Sequence, residues 1–382
     1  MSFHSLFSLH TKTELKHLYE FSTIFSFAFS LIIIFEPIFL YQQGFPLWFI
    51  GVYYGLHYLL YILLLPFGGK FAARFGLDRS LVVSLPFFVL YILTLAAIPQ
   101  VRMLVWVGIL FLTLHKIFYW PAFHAMMAEF GDGKNRGTEL SWMSFIRYGV
   151  GVLGPFIGGA IAEMFGFPVL FIFASVLVLA SAVPLLRTPD EYRRSSFSYR
   201  EPWKVITAPR YRNITLTMLG WGENLIDMVY WPLFLFLVLG GTEKLGIYFS
   251  IALAVMTGVG FFIGDFTERY SRQRIVRAYL PFMILGYLFR PLALGHARVV
   301  LTDTLSRVAF AGVMIPMMYE LYGVSKRGGS LMFGVSLEIL IAIAKAITAF
   351  MLALLFFLVA PYPAFIVAFI LAAALSLLYA KI

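Results

Sequence analysis

The sequence predicts an all-α polytopic membrane protein with twelve transmembrane helices in two parallel six-helix repeats. Of its 382 residues, 61% are hydrophobic and only 13% are charged, and the apolar runs recur at about the 20 residues that a helix needs to cross a bilayer. Lysine and arginine collect on alternate joins between those runs, which is how a chain with a fixed orientation in a membrane is marked. Spans one to four also match spans seven to ten, without a gap, when the chain is slid by 195 residues, a register that fades in the last two spans of each half.

The spans read near 18–42, 47–67, 80–99, 103–130, 138–165 and 167–186, then 213–240, 245–264, 275–295, 299–323, 330–358 and 363–380. The first seventeen residues are mixed and polar, and the apolar run after them is span-length with no small-residue cleavage site. That first helix is therefore expected to serve as its own insertion signal. Among the 29 lysines and arginines, only Arg102, Lys244 and Arg298 fall in outer joins, and Lys116, Arg147, Arg290, Arg307 and Lys345 fall within spans. The rest lie on one side, which predicts a multi-pass protein of the inner or plasma membrane with both termini in the cytoplasm. The net charge of +10 is then a property of orientation, and no nucleic-acid partner is expected. The chain has no cysteine, which excludes disulfides and thiolate metal sites.

The longest polar stretch, "RTPDEYRRSSFSYREPWKVITAPRYRN", lies at mid-chain. It divides the chain into a bundle over 1–186, a cytoplasmic linker over 187–212 and a bundle over 213–382. The internal match relates these bundles: Pro37 meets Pro232, Gly51 meets Gly246, Tyr53 meets Tyr248, Gly69 meets Gly264, Arg74 meets Arg269, Pro86 meets Pro281 and Pro121 meets Pro316. Shared hydrophobicity does not align glycine, proline and loop arginine together. Six spans per repeat give both halves the same orientation.

The loop after the second span, "GGKFAARFGLDRS", and its repeat, "GDFTERYSRQR", resemble the signature loop of the major facilitator superfamily. Gly69 and Arg74 match in the first copy, where Ala73 replaces the family's aspartate; Gly264, Glu268 and Arg269 match in the second. The resemblance implies that Gly69, Arg74, Glu268 and Arg269 belong to a gating loop that latches the inner side. "GPFIGG" in the fifth span, with Gly154, Pro155, Gly158 and Gly159, is similar to a motif of exporting antiporters, although Val150 stands where a further glycine is expected. Packing by small residues is its plainer reading.

Ionisable residues inside a bilayer cost about 2.5–3.5 kcal/mol each on insertion scales and should face protein or a water-filled cavity. Span seven carries Glu223, Asp227 and Trp231 at i, i+4 and i+8, with Asn224 and Tyr230 beside them; span four repeats that spacing with Lys116, Trp120 and His124, beside Tyr119. Each stripe offers charge and aromatic surface to one side. By depth, Lys116, His57 and Asp227 fall near the midplane, Glu36 toward the outside, and Arg147 and Glu338 toward the inside. Transporters built from such repeats bind substrate and coupling ion near the midplane between the halves. Under the internal match Lys116 falls on Ala311, Glu223 on Ala28 and Asp227 on Ile32, so these charges are not scaffold.

The reading is a secondary active transporter, with Asp227, Glu223, Glu36 and Glu338 as proton-coupling candidates. Lys116, Trp120, Tyr119, His124, Arg147, His57, Asn224, Tyr230 and Trp231 are the substrate-binding candidates. A carboxylate whose surroundings alternate between wet and dry takes a proton on one face and releases it on the other. The carboxylates of span seven are expected to look across at the cations of span four, or else to be permanently paired with Lys345 or Arg147. Asp303 with Arg307 at i, i+4 and Glu338 with Lys345 at i, i+7 are read as ion pairs, within the helix or with a neighbour, that neutralise their charges, and Arg290 is placed to snorkel to the outer interface. His115 and His124 lack the i, i+4 spacing of a two-histidine zinc helix, so no metal is expected, nor any cofactor. The expected partners are a small amphipathic or anionic substrate, protons and the lipid bilayer, with the protein a monomer. Export by antiport is favoured by the "GPFIGG" resemblance; a proton-coupled importer of a sugar or similar nutrient, a lipid flippase or scramblase, and a non-transporting sensor are the competing readings.

Overall fold

The computed structural model describes residues 13–130, 149–187 and 196–381. These are helical with no strand among them. Ten helices are long and apolar enough to cross a membrane, and Gly149–Phe165 is a shorter apolar one. Span one is built from two pieces, Thr13–Ser30 and Glu36–Gln42, which completes twelve crossings. Several helices outrun their expected bounds: span two runs over Leu47–Phe75, span eight over Thr242–Arg269 and span ten over His296–Gly328. The joins are correspondingly tight. Gly76 alone separates span two from the Leu77–Ala97 helix of span three, at φ 111°, a conformation open to glycine and costly to other residues.

Spans one and seven are not continuous helices, contrary to the sequence expectation, and they break at matching places. Residues 31–35 form turns, and Ile226–Tyr230 form a π-helix; the two stretches are 195 residues apart, the offset of the internal match. Each is followed by a proline at the second position of the next helical piece, Pro37 and Pro232. A proline has no N–H to give the carbonyl four residues back, here those of Ile33 and Met228. Each ladder resolves the loss by shifting register, and one-turn π segments of this kind gather at functional sites.

The halves meet along two long seams, span two against span eleven (Ser330–Leu358) and span five against span eight. Equivalent glycines make both approaches possible. A Cβ on Gly51 would stand 2.8 Å from the Ala353 nitrogen, and one on Gly246 would stand 2.1 Å from the Pro155 carbonyl oxygen. Of the "GPFIGG" glycines, Gly159 leaves room for the Thr242 carbonyl across the seam, while Gly154 and Gly158 leave room within their own half for Ser30 and for the Leu31 carbonyl at the break of span one.

At the end where the mid-chain linker lies, Phe197 packs against Gly69 of span two and beside Val335 of span eleven. Ser336 donates to the Pro202 carbonyl at 3.4 Å, and the Lys70 ammonium sits 4.8 Å from the centre of the Tyr199 ring. The linker thus crosses the seam that joins the halves.

Candidate functional site

Between the seams the halves part around a cavity of about 440 Å³, a volume typical of small-molecule sites. Both helix breaks border it, through Ile32 to Ile34 and Asp227 to Val229. One wall is aromatic: Phe25, Phe88, Tyr119, Trp120 and Phe123 form a stacked cluster, with Phe25 and Tyr119 ring centres 4.9 Å apart.

Span two supplies a ladder of phenols at i, i+4 and i+7, and each rung meets a different charge. Tyr54 donates to Glu36 at 2.8 Å. The Tyr58 hydroxyl accepts from the Lys116 ammonium at 3.5 Å, and the same ring lies 4.8 Å from Lys116 Nζ and 5.6 Å from Lys345 Nζ. Tyr61 donates to Glu338 Oε2 at 2.9 Å. Lys116 belongs to the N-terminal half and Lys345 to the C-terminal half, so one phenol stands between cations from both. Lys345 donates to the Asn224 side-chain carbonyl at 2.9 Å. Among the described residues neither lysine has a carboxylate within ion-pair distance.

The C-terminal half holds its own charge network. The Arg290 guanidinium is fully buried, ion-paired with Asp227 and flanked by the Trp231 and Tyr287 rings, each centred 4.5 Å from its carbon. Trp231 Nε1 donates to Asp303 at 2.8 Å, and Asp303 pairs with Arg307 at 2.9 Å. Glu223 accepts from the hydroxyls of Tyr287 and Tyr379. Asp227 and Asp303 are thus each matched by an arginine inside one half, and Glu223 is left with two phenols. Where the halves touch near the linker end, Glu338 Oε1 accepts from His124 Nε2 at 2.9 Å, and His124 Nδ1 meets the Tyr322 hydroxyl at 2.8 Å.

Residues 21–319 match the model of the Major Facilitator Superfamily. The chain belongs to that superfamily. The uncharacterized MFS-type transporter YuxJ of Bacillus subtilis (strain 168) is 24% identical over 277 residues, covering 68% of this chain and 69% of YuxJ. Among solved structures, the human organic anion transporter MFSD10 (TETRAN) superposes with a TM-score of 0.72 at 14% identity, over 97% of this chain and 99% of that one. The E. coli fucose:proton symporter FucP superposes with a TM-score of 0.68 at 14% identity, over 97% and 98% of the two chains. The fold is thus that of a major facilitator transporter, and its central cavity lies where transporters with such repeats bind their substrates.

Within this major facilitator fold the residues singled out from the sequence separate into groups. Glu36, Lys116, Tyr119, Trp120, His124, Asn224, Asp227 and Glu338 line the cavity. His57, Glu223, Tyr230 and Trp231 do not; all four are buried, His57 inside its bundle with Nδ1 on Thr113 at 2.9 Å, and Tyr230 at the seam, its hydroxyl donating to the Leu47 carbonyl of the other half at 3.4 Å. Arg147 lies outside the described residues, as does the side chain of Glu268. Gly69 sits against the linker, while Arg74 and Arg269 end their helices on the exposed surface.

Three expectations about geometry are corrected. Glu223 and Asp227 do not look across at the cations of span four, nor pair with Lys345; their partners come from spans nine and twelve of their own half. Arg290 does not snorkel, because Trp231 and Tyr287 enclose it and Asp227 neutralises it in place. Glu338 and Lys345 do not pair along span eleven; each turns to a different neighbour. The phenol ladder carries no formal charge and so gives no signal on a scale of intramembrane cost, although "YYGLHYLLY" displays Tyr54, Tyr58 and Tyr61 at helical spacing.

Proposed function

We propose that the chain is a proton-coupled secondary transporter of an amphipathic organic anion. Its halves, over 1–186 and 213–382 and joined by 187–212, rock about the central cavity. The observation that carries this reading is the convergence of Lys116 and Lys345 on Tyr58 from opposite halves, without a carboxylate partner among the described residues. Two like charges in a largely buried cavity are costly unless something neutralises them, and an anionic ligand supplies the missing charge while tying one half to the other. The aromatic wall formed by Phe25, Phe88, Tyr119 and Trp120 receives the apolar body. The name of MFSD10, an organic anion transporter, supports the same class of substrate. A neutral sugar would leave both lysines unmatched.

Proton coupling is supported by a difference among the buried carboxylates. Asp227 and Asp303 have arginine partners. Glu36 and Glu223 are held by tyrosine hydroxyls alone, and Glu338 by a tyrosine and a histidine. A glutamate without a standing cation is free to trade its charge for a proton as the cavity changes sides. Exchange in the exporting direction follows the resemblance of "GPFIGG" to antiporter sequences.

Thermal unfolding of the purified protein with aromatic carboxylates and sulfonates, against their uncharged amides, tests the anion reading. The anions should stabilise the protein and the amides should not. Lys116→Ala and Lys345→Ala should each weaken the effect about 10- to 100-fold, the loss of one charge-assisted hydrogen bond of about 1.5–3 kcal/mol. Stabilisation by amides equal to that by anions, unchanged in both variants, would remove the lysines from the site.

A further inference from the structure

The contact among Glu338, His124, Tyr61 and Tyr322 is placed differently from the other polar groups of the cavity. Glu338 lies on span eleven, yet both of its oxygens are held by the N-terminal half: Oε2 by Tyr61 of span two and Oε1 by His124 of span four, each at 2.9 Å. The second nitrogen of His124 returns to the C-terminal half through Tyr322 of span ten at 2.8 Å. Four side chains thus alternate between the halves, and Glu338, His124 and Tyr322 are all buried. Gly334, one turn from Glu338, faces His124 with no side chain between, a Cβ there standing 3.3 Å from the His124 Cβ.

We infer that this contact is a proton-operated tie that holds the halves together at the linker end and lets go when Glu338 takes up a proton. With Tyr61 O–H and His124 Nε2–H donating, the Glu338 carboxylate accepts both bonds as an anion, and hydrogen bonds to an ionised acceptor are roughly twice as strong as neutral ones. A proton that settles on Glu338 removes that charge and weakens both bonds across the seam at once. A proton on His124 alone would instead set an imidazolium against the carboxylate and tighten the contact, so release belongs to the proton on Glu338. Tyr61 also lies 3.4 Å from the Lys116 carbonyl oxygen, which gives its hydrogen another acceptor when the carboxyl group carries its own.

The tie shares both of its main helices with the lysine pair, and in that respect the inference rests on the transport reading above. Lys116 and His124 are two turns apart on span four, and the Trp120 ring between them stacks on His124 at 5.5 Å. Lys345 and Glu338 are likewise two turns apart on span eleven. An anion that draws the lysines together therefore acts on the two helices that the tie joins. The ionisable groups around Glu338 are Lys116, Lys345, Tyr58 and Tyr61, with Tyr322 beside His124. The linker helix Glu201–Thr207, packed on span eleven, adds Glu201 and Lys204, of which the first is exposed to water and the second also. Span seven adds Glu223, which is turned toward Tyr287 and Tyr379.

The chain has no cysteine, so two introduced ones can be spin-labelled without background. Leu186→Cys and Arg274→Cys place labels on exposed sites at the linker end of opposite halves. Their separation is measured by pulsed electron resonance in nanodiscs, with no anion present. Acidification from about pH 7 to about pH 4, far enough to protonate carboxylates, should lengthen the distance. Glu338→Gln should give the long distance at both pH values, and Tyr61→Phe, which removes a bond but no titrating group, should keep the response with its midpoint moved to higher pH. Tyr61→Phe combined with His124→Phe, which removes both donors across the seam, should give the long distance at both pH values and serves if Glu338→Gln is not recovered folded. A Glu338→Gln or Tyr61→Phe/His124→Phe protein with the parent's pH response overturns the tie. An intact pH response without anion-induced stabilisation overturns the anion reading alone.

Discussion

Asp227 and Arg290 show how far a single carboxylate depends on its partner. Arg290 Nε and Nη1 have no hydrogen-bond acceptor among the described residues, so Asp227 and the flanking aromatic faces are what hold its charge inside the bundle. Asp227→Asn should therefore destabilise the protein by about 3–5 kcal/mol, the cost of breaking a buried pair by removing one member, and should lower its unfolding temperature. Asp227→Asn combined with Arg290→Met should recover most of the loss. A single Asp227→Asn variant that unfolds with the parent would show that the pair is not structural. The position of Lys116 at the cavity was legible from depth along span four. The partner of Asp227 was not, because Arg290 lies 63 residues away and its enclosure depends on where Trp231 and Tyr287 meet. The partners of Glu338 were not legible for a related reason: the register of span eleven against spans two and four decides them.

Among elements, the repeat was legible because proline and glycine carry backbone constraints that hydrophobic residues do not. Gly51 and Gly246 align in sequence and perform equivalent tasks at two seams. Gly246→Leu should force span eight away from span five, where even a Cβ stands 2.1 Å from the Pro155 oxygen, and should abolish transport while lowering thermal stability. Gly258→Ala on the same helix has nothing within 4 Å of the added carbon and should be neutral or slightly stabilising. Equal behaviour of the two variants in unfolding and uptake assays would contradict the seam. The breaks in spans one and seven were not read from the sequence. The residues around Pro37 are apolar enough to pass for an uninterrupted helix, and hydropathy is blind to a missing backbone donor. Their coincidence at the repeat offset puts irregular backbone from both halves beside the same cavity.

The whole molecule combines a symmetric frame with an asymmetric interior. Arg290, Asp303 and Arg307 fall on Leu95, Gly108 and Leu112 under the internal match, so the arginine network belongs to one half only. Glu36, held by Tyr54, has Trp231 as its counterpart. On the proposed reading, the duplicated scaffold supplies the rocking frame and the residues that differ between its copies supply selectivity. Orientation belongs to this scale too. A maleimide probe should reach Ser196→Cys in intact cells only after the membrane is permeabilised, and labelling from outside would reverse the topology drawn from lysine and arginine.

Anion and proton are proposed to use one cavity, and their exchange can be followed directly. Proteoliposomes holding a pH-sensitive dye are given, outside, an aromatic carboxylate that stabilises the protein. Exchange predicts that the lumen turns alkaline as the anion enters, and that the Lys116→Ala/Lys345→Ala protein shows neither event. Anion entry with no change in lumenal pH, or the same change in the double variant, would contradict it.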